Sequence, residues 1–178
     1  MGFCLFGNVA IGAKYAIKSH KLDRVAIVDF DVHHGNGTQN ILWDSSKTLF
    51  ISSHQHPLFP GSGEKEERGK FNNIFNIPIP AYTDGTYFIK ILKKNICSKL
   101  YQFRPQLLII SAGFDAHRDD PLANLNWNTS DYTEITQILV DLAKQTCDGR
   151  IVSCLEGGYN LNALKESVAN HVKALMEA

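Results

Sequence analysis

Apolar positions along this chain recur with two alternating periods. "NVAIGAKYAIKSH" (8–20) repeats them at helical spacing, and "RVAIVDF" (24–30) follows as a continuous β-branched run. A run without alternation predicts a strand covered on both faces. "GTQNILWD" (37–44) predicts a short helix and "TLFISS" (48–53) a second buried strand. "IFNIPIP" (74–80) predicts a short strand limited by its prolines, which cannot donate to a ladder. "DGTYFIKILKKNICSKLYQF" (84–103) sets Phe88, Ile91, Leu92 and Ile96 on one stripe with lysines opposite, and Arg104-Pro105 stops that helix. "QLLIISAGFD" (106–115) predicts the third strong strand. "SDYTEITQILVDLAKQT" (130–146) predicts a helix opened by Ser130 or Asp131, with Glu134 completing a capping box. "RIVSCLEGGYN" (150–160) predicts a strand running into a glycine turn, and residues 161–178 close the chain as a helix.

Strand and helix alternate, so the pattern predicts a single α/β domain built on a mostly parallel sheet. The stretch "HQHPLFPGSGEKEERGKFNN" (54–73) breaks the alternation and predicts a long surface loop, functional or mobile. Composition then removes several classes. Lys plus Arg equal Asp plus Glu at 18 each, which excludes the basic footprint of direct nucleic-acid binding. No apolar run reaches membrane-spanning length, and no signal peptide precedes the domain. Cys4, Cys97, Cys147 and Cys154 form no C-x-x-C pair and read as reduced core thiols of a soluble, cytoplasmic chain, or a nuclear one in a eukaryote.

In an open parallel sheet, ligands bind beyond the carboxyl ends of the strands. The first strand runs into Asp29-Phe30-Asp31-Val32-His33, the third strong one into Asp115, and the last towards Tyr159. If the first strand continues, Asp31 and His33 face the same way. Singly, each of these residues is more often a turn former, a cap or a packing residue. Together, Asp31, His33 and Asp115 form the donor mix of a catalytic divalent ion with an open position, Zn²⁺ foremost. Crowded carboxylates at a buried strand end are costly unless a cation compensates them.

"DFDVHHGNGTQ", "HPLFPGSGE", "SAGFDAHRDDPL" and "LEGGYN" resemble the signature blocks of the histone deacetylase / acetylpolyamine amidohydrolase superfamily, in the family's order. Asn36 and the Leu-Glu pair before Gly157 resemble its class II and bacterial branch; "MGFCLFGNVAIGA" also matches, with Gly7 where that branch usually shows Asn. The resemblance implies an arginase/deacetylase-like three-layer fold with helices on both faces of the sheet. It implies Zn²⁺ on Asp31, His33 and Asp115, and Tyr159 as the phenol that donates to the substrate carbonyl as an oxyanion forms. It places Asp29 and Ser52 near a structural K⁺, and Asn36 and Asp29 beside catalytic histidines. Phe3 and Phe59 become walls of a narrow acyl-lysine tunnel, with Gly2, Gly157 and Gly158 around its base. His34 is expected to be structural.

The implied reaction is zinc-dependent hydrolysis of N-acetyl or other acyl amides of lysine side chains or polyamines. In the family a tandem histidine pair a few residues before the "GFC" block moves the protons, and no residue here precedes Met1. The expectation is therefore an N-terminally truncated domain, through either an internal start or a shortened gene. Its unpaired sheet edge is expected to favour aggregation or a homodimer. Two other readings stay open: a non-catalytic remnant that binds metal, and a dinuclear manganese ureohydrolase using Asp119 and Asp120 as spare carboxylates.

Overall fold

The computed structural model describes residues 3–177 and contains one five-stranded sheet flanked by helices. The strands are β1 (Val25–Asp29), β2 (Thr48–Gln55), β3 (Ile74–Ile79), β4 (Leu107–Ala112) and β5 (Ile151–Leu155). All four pairings are parallel and the order is β3-β2-β1-β4-β5. The chain therefore lays β2 and β3 on one side of β1 and then β4 and β5 on the other. The crevice between β1 and β4 is the point where the winding reverses, the place where open α/β sheets bind ligands.

Both faces of the sheet are covered, as the unbroken apolar runs require. α1 (Asn8–Ser19) and α2 (Asn36–Leu42) cover one face, where Val9, Ala10 and Ala13 meet Val25, Ile27 and Ile109. α3 (Gly85–Ile91), α4 (Cys97–Phe103), α5 (Thr129–Cys147) and α6 (Leu161–Leu175) cover the other, over Ala26, Val28 and Ile110. At the edges, Pro78 removes a donor from β3, whereas β5 leaves Val152 and Leu155 49% and 58% exposed.

Three local features depart from the pattern-based expectation. The helix expected over 84–103 is wound as a π-helix at Leu92–Ile96, between α3 and α4. Its buried residues Phe88, Leu92, Ile96 and Leu100 are four apart. That spacing drifts by about 40° per step on a 3.6-residue helix, and a wider π-turn takes the drift back. α5 is capped by Asn128 rather than by Ser130 or Asp131: the Asn128 N–H donates to the Asp131 carboxylate at 2.7 Å. Glu134 is instead drawn to Lys93 at 2.8 Å. Finally, β2 runs on to Gln55, two residues into the expected loop, because the Gln55 N–H donates to Val32 O and its side chain accepts from the Asn124 N–H.

Beneath the site, Phe30, Phe114 and Tyr132 pack around a buried imidazole, His171. Thr136 Oγ1 donates to Tyr132 O, so it accepts from His171 Nδ1 at 2.7 Å, and Nε2 accepts from Ser153 at 2.8 Å. Burial pushes the His171 pKa down to about 4. Its neutral form is favoured in the folded chain, so this stability is present above the ordinary histidine pKa and is lost as pH falls from about 6.5 towards 4. The full effect is on the order of 3 kcal/mol. Thermal midpoints measured from pH 7 to 4.5 are expected to fall more steeply for the native chain than for His171→Leu; parallel curves would contradict this.

Candidate metal centre

The strand ends bring the predicted donors together, but not by strand alternation. β1 stops at Asp29, and residues 31–33 form a bend. The Asp31 N–H donates to Asp29 Oδ1 at 3.1 Å, and the His33 N–H returns to Asp31 Oδ1 at 2.8 Å. These turn bonds fold Asp31 and His33 towards one another. Asp115 arrives from the turn after β4 and accepts from the Val32 N–H at 2.9 Å. The Gly157 N–H, just past β5, donates to Asp31 Oδ2 at 2.8 Å. Three strand ends are thus tied through two carboxylates.

Glycine is required twice by this approach. A Cβ on Gly157 would lie 2.0 Å from Asp115 Oδ2, and one on Gly113 would lie 2.3 Å from Asp31 Oδ2. Gly158, placed by the resemblance at the tunnel, has φ +141°, and a Cβ there would meet Leu164 at 2.8 Å and Phe114 at 3.3 Å. Its part is to turn the backbone.

His33 Nδ1 lies 3.1 Å from both Asp31 Oδ1 and Asp115 Oδ2. The second contact is off-line for a hydrogen bond, so the fully buried Asp115 Oδ2 has no donor. Burial and the neighbouring Asp31 charge push the Asp115 pKa up. Burial opposes a charge on His33, but the adjacent carboxylates of Asp115 and Asp31 outweigh it and raise its pKa to about 10. The cluster demands positive charge. Donors about 2.0–2.1 Å from one tetrahedral ion stand about 3.3 Å apart, close to the contacts here. The two-carboxylate, one-imidazole set therefore fits a zinc-like ion with an open position. Among the described residues it is the only group of three donors within 4.8 Å of one another. Asp119 and Asp120 do not join it: Asp120 accepts from the Leu122 and Tyr159 N–H groups, and Asp119 faces solvent beside His117. Among the described residues no second group of donors adjoins it of the kind a dinuclear site needs.

Asp31 and His33 line a cavity of about 740 Å³, with Asp115 fully buried behind them. Tyr159 lines it, and burial, with the nearby Asp115 and Asp31 charges, pushes its phenol up to about 12. The hydroxyl stays protonated at neutral pH and can donate. Phe59 stands edge-on to His33 with ring centroids 6.4 Å apart, and Phe3 lies similarly 5.6 Å from Tyr159. Asn36 and Asp29 also line the cavity. Burial, then Asp31, pushes the Asp29 pKa well up. Ser52 lies below, fully buried, beside Asp29 in the β1–β2 register and bonded to His54 Nδ1 at 3.1 Å. Gly2 lies outside the described residues.

Several participants escaped the sequence reading. Cys4, read as a core thiol, is exposed at the cavity wall because residues 3–6 precede the first helix turn and cross the crevice. Its thiol donates to Glu156 Oε2 at 3.1 Å, and that bond, then burial, pushes its pKa to about 11. Leu5, Phe6, Ile41 and Leu122 add an apolar rim. The 54–73 loop is pinned rather than loose: His34 bonds Ser62 and Gln39 at 2.9 Å each, and the Glu67 carboxylate accepts from Gln39 and from the Gly63 and Glu64 N–H groups. Polar residues spaced along a loop gave no signal of that mutual bonding.

Comparison with known proteins places this geometry. The sequence model of the histone deacetylase domain matches residues 1–175. Histone deacetylase 14, chloroplastic, of Arabidopsis thaliana is 42% identical over 179 residues, covering 99% of this chain and 42% of that protein. The histone deacetylase-like amidohydrolase of Pseudomonas aeruginosa is 38% identical over 167 residues, covering 90% of this chain and 43% of that protein. The crystal structure of the HDA15 HD domain superposes with a TM-score of 0.91 at 36% identity, covering 99% of this chain and 50% of that one. The chain thus spans less than half the length of these curated relatives. With the family model covering nearly all of the sequence, and the fold and donor cluster arranged as described, this chain belongs to the histone deacetylase family.

Proposed function

We propose that the chain carries the metal-binding and carbonyl-polarising part of a zinc-dependent deacetylase site for N-acyl amides of lysine side chains or polyamines. The observation that carries this reading is His33 Nδ1 standing 3.1 Å from a carboxylate oxygen of both Asp31 and Asp115, in a cavity that Tyr159 also lines. The names of the relatives, deacetylase and amidohydrolase, support the reaction class.

Asp31, His33 and Asp115 would hold the ion, whose Lewis acidity polarises an acyl carbonyl and acidifies a bound water. Tyr159, kept protonated, donates a hydrogen bond to the carbonyl oxygen as it gains negative charge. Phe3 and Phe59 flank the acyl chain with apolar surface and exclude water beside the reacting bond. Asp29 and Ser52, neighbours across β1 and β2, would support a structural potassium ion with nearby carbonyls.

A second reading, metal binding without turnover, is favoured by one observation. Among the described residues only His33 and His34 line the cavity as imidazoles, and both His34 nitrogens are engaged, by Ser62 and Gln39. Neither is free to take a proton from water and pass it to a leaving amine. In the catalytic reading the general base would have to come from outside the described residues.

Metal analysis of the purified chain is expected to give about one zinc ion per chain, and His33→Ala to reduce it to background. Zinc retained by His33→Ala would overturn the assignment. Gly157→Ala is expected to lower zinc affinity by about tenfold or more, because its Cβ displaces the Asp115 carboxylate. Offered an acetyl-lysine peptide, a catalytic chain is expected to turn over, to lose activity to a chelator, and to slow by about 10²–10³ in Tyr159→Phe with zinc retained. Zinc binding with no turnover supports the second reading.

A further inference from the structure

The sheet has a second opening, at the amino ends of its strands. A cavity of about 500 Å³ lies there, lined by Arg24, Tyr101, Arg104, Gln106, Gln145 and Thr146. Arg24 immediately precedes β1 and Gln106 immediately precedes β4, so this cavity and the metal centre occupy opposite ends of the same two strands.

Its hydrogen-bonding groups are unequally used. Gln106 Oε1 accepts from the Asp23 and Arg24 N–H groups at 2.7 and 3.1 Å, which fixes the orientation of that amide and leaves its NH₂ group as the uncommitted end. Gln145 Oε1 accepts from the Tyr101 hydroxyl at 2.9 Å, with the same consequence. The Arg104 carbonyl accepts from Arg24 Nε at 2.7 Å, and the Gln106 carbonyl accepts from Arg150 Nε at 2.7 Å. Both carboxamide oxygens and two backbone carbonyls are thereby spent. What remains is rich in donors: two carboxamide NH₂ groups, the terminal nitrogens of Arg24, and the Arg104 guanidinium. Neither arginine forms an ion pair among the described residues, although Lys47, Lys70, Lys93 and Arg150 do.

Arg104 caps α4 with φ +51°, the left-handed conformation usually given to glycine at a helix end and shared here by Asp148 after α5. A residue with a Cβ is strained there, so glycine can replace Arg104 without cost to the backbone. The one Arg24 bond to the Arg104 carbonyl keeps the two guanidinium-bearing residues together.

We propose that this cavity binds a small molecule through an oxyanion, phosphate in preference to carboxylate, gripped by Arg24 and Arg104 and oriented by the amide donors of Gln106 and Gln145. Two guanidinium groups match the charge and the paired oxygens of a phosphate better than those of a singly charged carboxylate. The cavity is of a size that holds a small organic phosphate rather than a bare ion alone. The site is independent of the deacetylase reading, since none of its residues lines the metal cavity.

The test is an NMR titration of the full chain with inorganic phosphate, pyrophosphate and acetate, following the side-chain NH₂ signals of Gln106 and Gln145 and, as a control for the metal end, the His33 amide. Saturable shifts of both glutamines are expected, with pyrophosphate and phosphate binding more tightly than acetate. Arg104→Gly and Arg24→Gln are each expected to weaken phosphate binding by about tenfold. Arg104→Gly relieves the positive φ, so its thermal midpoint is expected to equal or exceed that of the native chain, which separates lost binding from lost folding. Glutamine signals that do not move, shifts confined to His33, or undiminished binding in Arg104→Gly would each overturn the site. Acetate binding more tightly than phosphate would overturn the phosphate assignment.

Discussion

Mutual repulsion between two carboxylates is the constraint around which this fold is arranged. Asp31 and Asp115 face one imidazole at the reversal point of the sheet, and one oxygen of Asp115 is buried without a donor. In a low-dielectric interior such a pair is unfavourable unless positive charge joins it. The protein supplies part of the compensation through backbone N–H groups from Val32, His33 and Gly157. The remainder falls to a proton on His33 or to a divalent ion in its place. Those same bonds join the ends of β1, β4 and β5, so the donor cluster and the integrity of the sheet's carboxyl end depend on the same few contacts.

The surrounding structure serves to keep that arrangement rigid and accessible from one side. Gly113 and Gly157 let backbone approach the carboxylates where any side chain would collide. The loop after β2 is fastened by His34, His54, Gln39 and Glu67, and it carries Phe59 to the edge of the His33 ring. A polar network of this kind fixes one conformation where an apolar loop would have many, although the Asn76 Oδ1 beside Gln39 is left without a partner. On the far side, Phe30 and Phe114, each the residue before a carboxylate of the cluster, pack with Tyr132 into the buried core.

The strand ends divide the chemistry by charge. The carboxyl ends gather Asp29, Asp31, Asp115 and Glu156, while the amino ends gather Arg24, Arg104 and Arg150. A chain with equal numbers of acidic and basic residues thus sets a carboxylate cluster at one end of the sheet and two arginines, Arg24 and Arg104, without an ion pair among the described residues at the other, where Asp23 and Asp148 are already paired with Lys47 and Arg150. Net charge gave no indication of this, because it sums over positions that the fold separates.

Much of the framework was legible in the sequence because it rests on local periodicity. Apolar runs, continuous in β1 and shorter or interrupted in β3 and β5, marked the strands, and helical spacing marked the longer helices, since burial on two faces or on one stripe imposes those patterns directly. The identities of Asp31, His33, Asp115 and Tyr159 as candidates were legible too, because strand ends are where such sheets place their ligands. How they meet was decided in three dimensions: by a turn instead of strand alternation for Asp31 and His33, and by close approach of Gly157 from a segment more than a hundred residues away. The exposed Cys4 and the pinned loop likewise depend on partners distant in sequence, whereas the Asn128 cap rests on Asp131 three residues on and the π-turn on a four-residue spacing within one helix. Local pattern records which side of an element is buried; it carries no record of which distant hydrogen-bond partner is placed opposite, and that pairing is what only the tertiary structure decided.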